Sequence, residues 1–200
     1  MARGGGRPVS VLAIDTATRR RLVVVRAGRR GELLAARTGG TAALPWLDRA
    51  MAELGVSGLD AVVVVTGPGS YTGLRAGMAA GLGLAHALGI PLHGVSSLEV
   101  TARAAPDGES ETVALVEAGR GGAYAGRFAR RGGGLEMLGE ARRVSLATVA
   151  VGDPPPISLD SLELPGIRLG DPVAALAASV PSALGRPPLE LAGLSATYLD

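Results

Sequence analysis

The chain has no cysteine and no lysine, only two histidines, and few aromatics (one Trp, three Tyr, one Phe) in 200 residues. Without cysteine there can be no disulfide, thiolate metal site or cysteine nucleophile, a usage that fits the cytosol. So few aromatic rings cannot build the stacking platforms that hold single-stranded RNA. Every long basic side chain is an arginine, and a net charge of +2 is too small to mark a nucleic-acid binder. His86 and His93 stand seven apart with a helix stop between them, so they cannot form the i, i+4 pair that binds zinc on a helix. No Ser–His–Asp arrangement follows from spacing either. Long hydrophobic runs are missing too: Arg75 and His86 bracket about ten apolar residues, short of the roughly 20 a membrane span needs. Met1 to Pro8 is basic and glycine-rich with no apolar core behind it, and reads as a disordered tail on a cytoplasmic protein.

What is present is a 47% hydrophobic composition, enough for one compact domain or two small ones. The chain is organised around Val62 to Leu92. Val62–Val65 reads as a buried strand, Gly67-Pro68-Gly69 breaks it, and Ser70, Tyr71 and Thr72 lead into a helix that Gly89 and Pro91 stop. Such a loop at a helix N-terminus is a candidate anion site. It carries neither the Walker lysine nor the dinucleotide glycine pattern, because Leu74 and Arg75 follow Gly73 and Thr72 stands where the third glycine belongs. In the helix, Gly73, Gly77 and Gly81 fall on one face. Glycine costs about 1 kcal/mol against Ala there, so the stripe serves close packing, either on the chain's own sheet or against a partner helix.

Upstream, Val9–Ile14, Leu22–Arg26 and Glu32–Arg37 read as an antiparallel meander, and Leu44, Leu47, Met51 and Leu54 mark a helical stripe. Asp15, with Thr16 and Thr18, ends the first strand. Its strand should neighbour the one ending at Thr66, so Asp15, Thr16, Thr18, Gly67, Gly69, Ser70 and Thr72 form a candidate metal- and phosphate-binding set, against a plain turn role for Asp15. Arg19, Arg20, Arg21, Arg29 and Arg30 gather around this hairpin as a solvated run or a phosphate-facing patch. Ser96 to Glu99 has the form of a capping box. After Pro106-Asp107-Gly108 the pattern restarts: Thr112–Val116 ends at an acid, Glu117, before a small-residue hairpin and a partner strand, Ala123–Arg130. That repeat suggests two related halves, with Asp15 and Glu117 as acids that can face one cleft. Val149–Val151 and Ile167–Leu169 read as strands, and Pro172–Leu184 as a helix interrupted at Pro181.

The strings L-A-I-D-T-A-T (Leu12–Thr18), T-G-P-G-S-Y-T-G-L-R-A-G (Thr66–Gly77) and G-I-P-L-H-G-V-S-S-L-E (Gly89–Glu99) resemble the bacterial TsaB (YeaZ-like) family. E-A-G-R-G-G-A-Y (Glu117–Tyr124) is similar to the family's D-A-R-R-G-E-V-Y, and A-T-Y-L-D (Ala196–Asp200) to its P-x-Y-L-R. The resemblance implies an α/β fold of the actin-like, Hsp70-type (ASKHA, ribonuclease H-like) class, two lobes with mixed sheets. Its divisions here are a tail (1–8), an N-terminal lobe (9–105) and a shortened C-terminal lobe (106–200). It implies a non-catalytic scaffold or activator in making threonylcarbamoyladenosine next to the tRNA anticodon. The partners implied are a catalytic TsaD-like subunit and a TsaE-like ATPase, with homodimer formation as a second use of the same face and tRNA met only indirectly. Pairing through the first two helices makes Leu44, Leu47, Met51, Gly73, Leu74, Gly77, Met78 and Gly81 the expected interface. No cofactor is implied beyond weak ATP or ADP binding in the complex. The alternative is a small ATP-hydrolysing enzyme using Asp15 and the Gly67–Arg75 loop.

Overall fold

A computed structural model describes residues 9–19, 21–39, 44–149, 151–152, 154–190 and 196–197. The expected tail (1–8) and the last three residues of the chain lie outside the described residues. Strands Ser10–Asp15 (β1), Leu22–Gly28 (β2) and Leu33–Gly39 (β3) form the meander, followed by helix Leu44–Leu54 (α1), strand Ala61–Gly67 (β4), helix Tyr71–Leu88 (α2) and strand Leu92–Ser96 (β5). The sheet order is β3-β2-β1-β4-β5, antiparallel through the meander and parallel from β1 through β4 to β5. β1 is buried at every position, and β2 and β4 at nearly all. These unbroken apolar runs mean the sheet is covered on both faces.

The first half ends with helix Ser97–Ala102 (α3), and the second builds strands Glu111–Gly119 (β6), Gly122–Arg131 (β7), Gly134–Met137 (β8), Arg142–Ser145 (β9), Ile157–Ser158 (β10) and Arg168–Leu169 (β11) before helix Pro172–Leu184 (α4). Its sheet reads β8-β7-β6-β10-β11, with β9 pairing the other end of β7. β6, β10 and β11 are parallel. Order and strand sense match the first sheet position for position, so the repeated acid-and-hairpin pattern has its counterpart in topology. The helices are exchanged. α3 packs chiefly on β6 and β7, whereas α4 returns to the first sheet against β2, β5 and β1.

Where the two helices meet, Glu99 is buried; its Oε1 accepts from Ser182 Oγ (2.6 Å) and its Oε2 from Arg186 Nη2 (2.6 Å). The expected capping box is therefore half formed. Ser96 caps α3 by accepting from Leu98 N, but Glu99 turns to α4 instead of back to the cap. The shortness of the second half also has a physical form: Leu115 and Ala123, on the face away from α3, are covered by Leu146, Val149, Leu162, Leu164 and Ile167. These residues come from non-helical segments, where the first half uses α1 and α2. Val149 and Val151 lie in no strand; β9 and β10 supply the pairing instead. α4 runs unbroken through Pro181. The missing N–H leaves the Ala177 carbonyl without a helical donor, and Gly31 (φ +85°) packs so near that a Cβ would stand 2.8 Å from that oxygen.

Candidate functional site

The β1–β2 hairpin and the loop before α2 hold each other. Gly69 comes so close to the hairpin that a Cβ would lie 2.3 Å from the Ala17 carbonyl oxygen, which also accepts from Ser70 N (2.7 Å). Thr16 Oγ1 donates to the Gly73 carbonyl (2.7 Å), tying the hairpin to the first turn of α2. Ser70 is the N-cap of that helix, accepting from Gly73 N, and Gly89 in the left-handed region closes its far end. Gly67 (φ +111°) sits against the Thr197 backbone. The predicted phosphate-loop glycines thus serve close backbone approaches that a side chain would block.

Asp15 is 2% exposed and engaged on both oxygens. Oδ1 accepts from Ala17 N (2.9 Å) and Oδ2 from Arg21 Nη1 (2.9 Å). The same guanidinium reaches Asp160, just beyond β10, through Nε (3.0 Å) and Nη2 (3.4 Å), and Thr18 Oγ1 donates to Asp160 Oδ1 (3.1 Å). Burial pulls the Arg21 pKa down. The charges of Asp15 and Asp160, with the hydrogen bonds to both, more than offset this and hold it above its ordinary value. Asp15 is therefore a structural anion with its counter-ion built in. It lies at the end of β1, where the turn begins, paired within the chain.

Above this buried triad lies a cleft of about 720 Å³ between the two hairpins. Thr18, Gly69 and Ser70 line it from the first half, with Arg19 and Tyr71; Glu117, Arg120, Tyr124 and Arg143 line it from the second. Of the predicted set, these first three reach the cleft. Asp15 and Thr16 lie buried, and Thr72 is exposed on the first turn of α2. The two acids expected to share a cleft do not, since only Glu117 lines it. Among the described residues no three His, Cys, Asp or Glu side chains gather to hold a metal ion. His86 is exposed, and His93 is buried with Nδ1 at 3.2 Å from the Arg186 carbonyl.

The glycine stripe faces inward, contrary to the expected docking role. A Cβ at Gly73 would stand 2.1 Å from the Thr16 carbonyl oxygen, at Gly77 2.2 Å from Thr16 Oγ1, and at Gly81 2.3 Å from Val64 Cγ1. The close approach that the glycines allow is that of the chain's own β1–β2 hairpin and β4. Leu47, Leu74 and Met78 are buried in the same core. Of the expected interface, Met51 alone has a side chain described as partly open; nothing is described of the Leu44 side chain. The outward face of α2 carries Thr72, Ala76, Ala79, Ala80, Gly83 and Ala87, all exposed or half-buried, with the exposed Arg75 and His86 beside them, and a Cβ at Gly83 would meet nothing within 4 Å. By sequence Arg21 is only one member of an arginine run, and Asp160 carries no signal. Arg21 stands in a run of three arginines, and its partner lies 139 residues away, so no local pattern joins them.

The family model described as TsaD, tRNA N6-adenosine threonylcarbamoyltransferase, matches residues 27–180. The chain is 40% identical over 146 residues to the Mycobacterium tuberculosis protein Rv3421c, covering 66% of this chain and 64% of that one. It is 38% identical over 89 residues to the tRNA threonylcarbamoyladenosine biosynthesis protein TsaB of Bacillus subtilis, covering 44% and 39%. The chain thus spans less than two thirds of the length of either relative. In structure it is similar to YeaZ from Pseudomonas aeruginosa, with a TM-score of 0.71 over 96% of this chain and 100% of that one. At 23% identity the likeness is one of fold: α/β with two mixed sheets.

Proposed function

This chain belongs to the threonylcarbamoyltransferase (TsaD) family as a TsaB-like member, and from there we propose that it is an accessory subunit in making threonylcarbamoyladenosine on tRNA. In this reading it binds and supports a TsaD-like catalytic subunit in the cytoplasm, with a TsaE-like ATPase as a further member, and meets tRNA through the assembly. The name TsaB, borne by relatives from Bacillus subtilis and Haemophilus influenzae, supports the pathway.

The observation that carries the partner-binding part is the outer face of α2. Thr72, Ala76, Ala79, Ala80, Gly83 and Ala87 form a strip of small side chains toward solvent, flanked by the exposed Arg75 and His86, so another helix can approach closely along that strip and lose little side-chain entropy in doing so. The same strip can serve a second copy of the chain. Asp15 is buried and paired with Arg21 and Ala17 N, an arrangement that lends the ATP-hydrolysing alternative no support.

The test is Gly83→Arg in the full chain. It should leave the unfolding midpoint within the range of an ordinary surface change, abolish co-elution with the TsaD-like partner on gel filtration, and lower threonylcarbamoyladenosine in tRNA measured by nucleoside mass spectrometry. Normal nucleoside levels in cells lacking the chain altogether would remove the pathway assignment. Undiminished co-elution of the folded variant would remove α2 as the contact.

A further inference from the structure

The outward face of α2 carries charge of one sign. From Tyr71 to Leu88 the helix holds Arg75 and His86 and not one Asp or Glu. The two bases stand eleven residues apart, about 16 Å along the axis and about three turns on, so they share one line of the helix. Arg75 is exposed, and among the described residues no carboxylate pairs with it. Of the acids on α1, Glu53 is taken by Arg37 (2.6 Å) and Asp48 makes no ion pair among the described residues. The Arg75 guanidinium lies instead over the Tyr71 ring, with Cζ 4.0 Å from the centroid. Stacking on a ring holds a guanidinium in one plane and leaves its N–H edge turned outward, the form that a carboxylate matches with two parallel bonds. Arg and Tyr are also among the residue types that carry most binding energy at protein interfaces.

Two occupants compete for this face, a partner helix and a second copy of the chain, and charge separates them. In any register a second copy's α2 offers Arg75 only a base or an uncharged group, because that helix has no acid. Covering Arg75 in such a contact strips water from a guanidinium and returns no counter-ion, and like charges brought together weigh further against it. A helix with Asp or Glu opposite Arg75 returns a charge-assisted pair for the same loss of water. We propose that Arg75, held on Tyr71, is the selector of this face: it receives a partner helix that sets a carboxylate against the guanidinium, in preference to a second copy of this chain. This rests on the partner-binding reading above and names the group on α2 that does the selecting.

The experiment compares the full chain with its Arg75→Glu and Arg75→Ala variants, reading affinity for the TsaD-like partner by calorimetry and self-association by sedimentation equilibrium. Arg75→Glu should weaken the partner by about thirtyfold or more, and Arg75→Ala by less, with the unfolding midpoint unchanged in both. Without the partner, the Arg75→Ala chain should move toward dimer, since it no longer buries an unpaired base. If charge reversal costs the fold, Arg75→Ala alone carries the test, because its two effects have opposite sign. The proposal is overturned by unchanged partner affinity in the folded Arg75→Glu chain, or by self-association that does not rise in Arg75→Ala. Loss of tRNA binding in Arg75→Glu with the partner still held would overturn it equally, since the guanidinium would then serve a phosphate. Should Gly83→Arg abolish co-elution while Arg75→Glu leaves it intact, the α2 contact stands and the selection falls. A parent chain that never co-elutes with the partner removes both.

Discussion

Arg21 Nε lies 3.0 Å from Asp160 Oδ1, joining the first hairpin to the residue just past β10, 139 positions later in the chain. Both side chains are nearly withdrawn from solvent, at 11% and 2% exposure. The contact ties the first hairpin to the segment just past β10, and Thr18, which lines the cleft, donates to the same Asp160 carboxylate.

Breaking this pair from one side should be costly. Arg21→Met leaves Asp15 and Asp160 as buried carboxylates without a counter-ion, a loss of about 3–5 kcal/mol. Asp160→Asn should cost less, because Arg21 keeps Asp15. The double change Arg21→Met with Asp160→Asn should lose less than the sum of the two, since the groups share one network. Denaturant unfolding of the three variants reads this directly, and strict additivity would mean the triad is not coupled.

The pH dependence follows from the sign of the Arg21 shift. Its folded-state pKa is raised, so the folded protein holds this proton more tightly than the unfolded chain does. The stabilisation is fully present below the ordinary guanidinium range and is lost only as pH climbs through the raised value. The stability gap between the parent and Arg21→Met should therefore stay flat from about pH 7 to about pH 10. A gap that closes within that window would show that another group carries the linkage.

Local pattern made most of the first sheet readable. The β-branched run before Gly67 and the Ser70 cap with its Gly89 stop are near-neighbour effects, and they located β4 and α2 within a residue or two. The stripe of Gly73, Gly77 and Gly81 was equally visible, but periodicity says only that something comes close, not whether it belongs to the same chain. The answer lay with Thr16 and Val64, which sequence alone does not set against that face. β9, β10 and β11 are two to four residues long, too short to show a period. The Arg21–Asp160 pair is illegible for the reason that any long-range ion pair is: the arginine run marks Arg21 as basic but nothing local points to a partner 139 positions on.

The exchange of α3 and α4 between the sheets gives Glu99 a measurable weight. Glu99→Ala removes the acceptor of Ser182 Oγ and Arg186 Nη2, and with it the carboxylate 3.5 Å from Arg103 Nη2. Ser182 Oγ then loses its acceptor while Arg186 Nη2 keeps only Ser182 Oγ (3.2 Å), which should cost about 1–3 kcal/mol, and Glu99→Gln less, because the amide oxygen still accepts. Chemical unfolding distinguishes the two. Equal loss would mean that charge, and not hydrogen bonding, holds the helices together.

Two glycines of one helix should respond in opposite senses to the same small change. At Gly73 an added methyl would meet the Thr16 carbonyl oxygen at 2.1 Å, a backbone atom that cannot swing aside. Gly73→Ala must push α2 off the hairpin and strain the bond from Thr16 Oγ1 to the Gly73 carbonyl, and should destabilise by about 1–3 kcal/mol, as overpacking does. At Gly83 there is nothing within 4 Å. Gly83→Ala should therefore stabilise by up to about 1 kcal/mol through helix propensity alone. Thermal unfolding of the two single variants, run side by side, checks which way the helix is turned. If Gly73→Ala were neutral and Gly83→Ala harmful in the isolated chain, the glycine face would be the open one and α2 would have to be rotated about its axis.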